Sequence, residues 1–121
     1  MSRPVHFEIL GDNPEKLGEF YQAVFGWEIN TWGGDEQTYW LLTTGPDGEP
    51  GINGGLMARH FDQAVINTVT VDSLDEAIAK VEAAGGRKIH GPNEIPEVGS
   101  HAYCEDPEGN LFGIMQPAPD A

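Results

Sequence analysis

The sequence predicts an α+β fold of two βαβββ modules, about 4–59 and 64–116, paired around a cleft within a single domain spanning residues 1–121. Three observations predict it. A strand-like alternation gives way to a helical stripe and then to three further strand-like runs. That order occurs twice. The turn chemistry recurs with it, because a shift of 61 residues sets Pro46 on Pro107 and Gly48 on Gly109. The same shift sets His6 on Asn67, Glu15 on Glu76, Leu17 on Ile78 and Phe20 on Val81. Past the turn the shift falls to 58, and Gly55-Leu56-Met57 lands on Gly113-Ile114-Met115. One sheet covered by one helix leaves its other face bare. Two such faces are expected to pair, with matching strand positions converging on the cleft.

Residues 4–10 read as the first strand, with Val5, Phe7 and Ile9 on one face and His6, Glu8 and Leu10 on the other. Asn13 suits a helix cap and Pro14 the first helical position. Leu17, Phe20, Tyr21 and Val24 make one helical stripe, which Gly26 can end in a left-handed conformation. Strands are expected at 27–32, 37–44 and 52–59, separated by turns at Gly33-Gly34-Asp35 and Gly45-Pro46-Asp47-Gly48. The second module opens with a strand at 64–71. Ser73 and Glu76 form a capping box. Leu74, Ala77, Ile78, Val81 and Ala84 form the second stripe, and Gly85-Gly86 stops it. Strands at 87–90, 99–105 and 111–116 follow, the last two joined by the turn Asp106-Pro107-Glu108-Gly109-Asn110.

Six basic residues against twenty acidic ones give a net charge of −14 in 121 residues. That field repels phosphate backbones and anionic lipid, so neither nucleic acid nor membrane is an expected partner. No apolar run approaches the roughly 20 residues of a membrane span. Met1-Ser2-Arg3-Pro4 leads into a strand pattern without the apolar core of a signal peptide. A single cysteine, Cys104, fits a reducing, cytoplasmic location.

Four stretches carry a family resemblance: Val5-His6-Phe7-Glu8-Ile9, the run Glu19-Phe20-Tyr21-Gln22-Ala23-Val24-Phe25-Gly26-Trp27, Val81-Glu82-Ala83-Ala84-Gly85-Gly86, and Asp106 to Asn110. Through them the chain resembles the vicinal-oxygen-chelate superfamily, which includes glyoxalase I, bleomycin-resistance proteins and extradiol dioxygenases. The ending Asn110-Leu111-Phe112-Gly113-Ile114-Met115-Gln116 resembles a glyoxalase-like branch whose members mostly lack an assigned reaction. The resemblance implies half-barrel modules and a homodimer, and exposed sheet edges also favour a covering partner. It further implies metal ligands on the first and last strands of each module. Those positions fall at His6, Asn67, Gly55 and Gly113, so both last-strand carboxylates are missing. A catalytic divalent site needs about three protein ligands and an open position. The usual set is incomplete, and no cofactor is expected, although Glu8 beside His6 keeps a non-standard metal site open.

The expected ligand is a small, partly aromatic organic molecule, with its reaction unassigned. The candidate binding residues are His6, Glu8, Trp40, Gly55, Met57, Asn67, His101, Gly113 and Met115. His6 and Glu8 are also the catalytic candidates, as an acid–base pair about 7 Å apart along one strand face. Glycines at 55 and 113 leave room for a bulky ligand or mark close strand contacts. Met57 and Met115 share their faces and offer adaptable walls or core filling. Trp40 is better explained by core packing. Two alternatives stand beside this reading: a metal-dependent lyase, isomerase or dioxygenase with displaced ligands, and a sequestering protein without turnover.

Overall fold

In the computed structural model, residues 2–32 and 39–119 are described. Two compact units emerge: His6–Val65, and residues 66–119 together with residues 2–5. The elements are β1 (Pro4–Gly11), α1 (Pro14–Phe25), β2 (Glu28–Trp32), β3 (Tyr39–Thr43), β4 (Gly54–Ala58), β5 (Val65–Thr70), α2 (Leu74–Ala83), β6 (Arg87–Ile95), β7 (Gly99–Glu105) and β8 (Leu111–Pro117). The α+β class is as expected. The turn expected at Gly33-Gly34-Asp35, and Gln37 and Thr38 of the third expected strand, lie outside the described residues.

In the first unit the strand order is β2-β3-β4-β1. β1 and β4 run parallel, and the other pairs are antiparallel. A helix between β1 and the later strands supplies the crossover that a parallel pair requires. Asn13 caps α1 by accepting from the Lys16 N–H, and Gly26 closes it with φ 74°. The core under α1 is Ile9, Trp40, Leu42 and Leu56, with Phe7, Leu17, Tyr21, Trp27 and Ile29 packed around it. Gly18 lets the helix approach the sheet: a Cβ there would stand 2.8 Å from Ile29 Cδ1 and 3.1 Å from Leu56 Cδ1. The helical stripe is wider than the sheet covers, and Phe20 and Val24 stay more than half exposed.

The second unit repeats the plan. Its strand order is β5-β8-β7-β6, with β5 and β8 parallel and the rest antiparallel. Ser73 caps α2 by accepting from the Glu76 N–H. Leu74 of that helix forms a core with Ala102, Cys104 and Ile114 of the sheet. The expected strand 87–90 extends to Ile95 and contains Pro92. It pairs with β7 through two irregularities, between Lys88 and His90 and between His90 and Asn93. Proline lacks a backbone N–H, and an outer strand with bulges accommodates it. The Asp106 turn forms as expected, its carboxylate accepting the N–H groups of Glu108 and Asn110 and the Asn110 side-chain amide.

Candidate binding site

Alternation along each strand separates a helix-side face from an opposite face. In the first unit, Glu8 pairs with Gly55 and Leu10 with Met57 across β1 and β4. Leu41 pairs with Gly55 and Tyr39 with Met57 across β3 and β4. His6, Glu8, Tyr39, Gly55 and Met57 therefore share the face away from α1.

One hydroxyl organises that face. The Tyr39 hydroxyl donates to Glu8 Oε2 at 2.8 Å, and His6 Nε2 lies 2.8 Å from the Tyr39 phenol oxygen. The phenol's single proton goes to the carboxyl group, so the imidazole N–H donates to the phenol oxygen. The two groups expected as a pair about 7 Å apart are thus bridged by a protein side chain. Glu8 is 5% exposed and, among the described residues, is one of few buried polar side chains. Burial lowers the His6 pKa from its ordinary 6.5, outweighing the raising influence of Glu8. The imidazole is correspondingly biased toward its neutral form.

Gly55 does not leave an open floor here. A Cβ built on it would collide with the Tyr39 hydroxyl and Cζ, and would lie 2.6 Å from Cε1. The phenol fills the room that a side chain at 55 would need. Met57 is buried on the same face. Trp40 faces the other way, in the core under α1, because it neighbours Tyr39 on an alternating strand. It is no part of this site.

The second unit shows a parallel arrangement. Thr68 and Tyr103 both pair with Gly113, and Thr70 and His101 both pair with Met115. A Cβ on Gly113 would stand 2.7 Å from His101 Nε2 and 2.8 Å from Thr68 Oγ1. His101 is buried and packs edge-on against Tyr103, with ring centroids 4.5 Å apart. Among the described residues, Thr68 Oγ1 is a buried side-chain oxygen without a hydrogen-bond partner.

These registers correct the repeat. Glu8 opposite Gly55 matches Thr68 opposite Gly113, which sets the first strands 60 residues apart rather than 61. His6 therefore corresponds to Ile66, which is fully buried. Asn67 pairs with Phe112, a residue packed on the core under α2, so it lies on the opposite face from Gly113. It is not the counterpart of His6. The third strands are 62 apart, so the counterpart of His101 is Tyr39. Tyr39 is the residue that sequence reasoning missed. The available signal was a hydroxyl on an apolar strand beside the glycine-bearing one.

Of the positions where the resemblance implies metal ligands, corrected for register, His6 alone carries a donor; Ile66, Gly55 and Gly113 do not. Among the described residues, no three His, Cys, Asp or Glu side chains are grouped to hold an ion. The side chains present do not fit a resident divalent metal of the usual kind.

The chain belongs to the glyoxalase-like domain family, which matches residues 8–115. Over 116 residues, 93% of the chain, it is 35% identical to the protein named "Putative glyoxylase CFP32" in Mycobacterium bovis and Mycobacterium tuberculosis. The chain spans 43% of the length of those relatives. Its fold is that of the vicinal-oxygen-chelate proteins. Methylmalonyl-CoA epimerase from Mycobacterium tuberculosis aligns with a TM-score of 0.69 at 18% identity, covering 97% of this chain and 89% of that one. A Streptomyces coelicolor methylmalonyl-CoA epimerase variant in complex with 2-nitronate-propionyl-CoA aligns with a TM-score of 0.70, again at 18% identity, covering 97% and 95%. A hypothetical protein from Bacillus halodurans reaches 0.70 at 13% identity, covering 99% and 97%. Among the described residues, no helix is long and apolar enough to cross a membrane.

Proposed function

We propose that this glyoxalase-like chain binds a small, partly aromatic organic molecule at the face bearing His6, Glu8 and Tyr39. Hydrogen bonds, not a divalent ion, hold the ligand. The observation that carries this reading is a buried carboxyl group and a partly buried imidazole sharing one phenol oxygen at 2.8 Å each. Buried polar groups converging on one point of a sheet face are the usual means of orienting a ligand. Proteins of the same fold bind small organic molecules, as the epimerase complex with 2-nitronate-propionyl-CoA illustrates. The same proposal includes a homodimer working in the cytoplasm.

Native mass spectrometry with elemental analysis of freshly purified protein tests it. The expected result is a dimer that retains an organic molecule and carries no stoichiometric nickel, zinc or iron. A stoichiometric metal lost in a His6→Ala variant overturns it. Turnover is read separately: ligand recovered chemically altered after long incubation marks an enzyme, and unaltered ligand marks a sequestering protein.

A further inference from the structure

We infer that Gly55 is a positioning residue, whose missing side chain seats the Tyr39 hydroxyl between His6 and Glu8. The inference goes beyond ligand binding, because it concerns how the chain builds the polar bridge. Tyr39 pairs with Met57, two residues beyond Gly55, so its ring leans along β4 to cover the glycine. Both hydrogen bonds depend on that lean. Real Cβ atoms do not approach other heavy atoms as closely as a Cβ at 55 would approach the phenol. The ring would have to withdraw, and the 2.8 Å contacts to His6 and Glu8 would open together.

The second unit supports the inference independently. At the same register position, His101 pairs with Met115 and its ring covers Gly113. Two units of different sequence thus use a glycine on the last strand to seat a polar ring from the neighbouring strand. A glycine kept only for backbone freedom would have a positive φ, and neither of these does.

The test follows the His6 ring protons by NMR across a pH titration. Among the described residues, Glu8 and Tyr39 are the ionisable groups facing His6 from β1 and β3, and β4 contributes Gly55 and Met57, which do not titrate. In Gly55→Ala, the withdrawn ring exposes the imidazole, and its titration midpoint should rise toward 6.5. In Tyr39→Ala the midpoint should rise as well, and adding Gly55→Ala to that background should change nothing further. An unchanged midpoint in Gly55→Ala overturns the inference, as does an equal shift in both backgrounds. If Gly55→Ala does not fold, the double variant should regain a folded state, since the colliding ring is gone. A double variant no more stable than the single one also overturns it. Loss of ligand retention leaves these outcomes unaffected, so failure of the binding proposal is distinguishable.

Discussion

Replacing Tyr39 by Phe removes one oxygen and keeps the ring that covers Gly55 and packs edge-on against Trp32. Two contacts of 2.8 Å are lost. The more consequential one leaves Glu8, only 5% exposed, without its hydroxyl donor. A buried acceptor deprived of its partner costs about 1–3 kcal/mol, and a lost bond to a partly buried imidazole about 0.5–1.5 kcal/mol. Glu8 has further interactions, which limits the loss. The expected destabilisation is about 2–3 kcal/mol, or roughly 30- to 150-fold in the folding equilibrium. Urea unfolding followed by circular dichroism measures it. The midpoint should fall by about 1 M or more with the slope unchanged. A loss below about 0.5 kcal/mol would show that water replaces the hydroxyl freely, and the bridge would then have no energetic meaning.

Asp106→Ala should lower the unfolding midpoint at neutral pH. The Asn110 side chain, the Asn110 N–H and the neighbouring turn N–H groups hold the carboxyl below its ordinary 3.8. A depressed folded pKa gives stability that is present above 3.8 and disappears as pH falls through the folded value. The difference between variant and parent should therefore vanish in strong acid, as paired denaturation curves would reveal. His6 carries a similar sign for a different reason. Its folded pKa lies below 6.5, so the unfolded chain takes up the proton more readily, and stability declines as pH falls from 6.5 toward the folded value. His6→Gln should flatten that segment of the stability curve; an unaltered slope there counts against a desolvated imidazole at this position. Leu56→Ala, at a fully buried position under α1, should cost about 2–5 kcal/mol by the same assay.

The helix caps, the Asp106 turn and most strand bounds were legible because each rests on local chemistry. Asn13 and Ser73 place side-chain oxygens at helix N-termini, where orphan N–H groups need acceptors. Register was not legible. The run Val65-Ile66-Asn67-Thr68-Val69-Thr70-Val71 places β-branched residues on both faces. Its alternation therefore does not say which face meets the helix, and a slip of one residue exchanges them. That slip is the difference between Asn67 and Ile66 as the counterpart of His6. Tyr39 was hidden similarly. Tyr39-Trp40-Leu41-Leu42 is apolar on both faces, so its sequence shows no period of two, although only Trp40 and Leu42 are buried. The strand expected at 87–90 runs on through Pro92 to Ile95, because an outer strand donates few of its N–H groups to a partner.

The two seated rings differ in one respect that yields a further test. The Tyr39 phenol satisfies both of its neighbours. The His101 ring lies beside Thr68 Oγ1, which has no hydrogen-bond partner among the described residues although Thr68 is 2% exposed. A Cβ on Gly113 would press on both Nε2 of His101 and Oγ1 of Thr68. Neither has free space, since His101 is pinned against Tyr103 and Thr68 is enclosed. Gly113→Ala should therefore be destabilising, by about 1–3 kcal/mol from overpacking. Thr68→Val removes the orphan hydroxyl at nearly constant volume. Losing an unsatisfied buried oxygen should be neutral or stabilising, contrary to the usual outcome for a buried threonine. Urea midpoints of the two variants decide the matter. A stabilised Gly113→Ala would mean that the ring and hydroxyl yield easily. A Thr68→Val variant weakened by more than about 1 kcal/mol would mean that the hydroxyl has a partner after all.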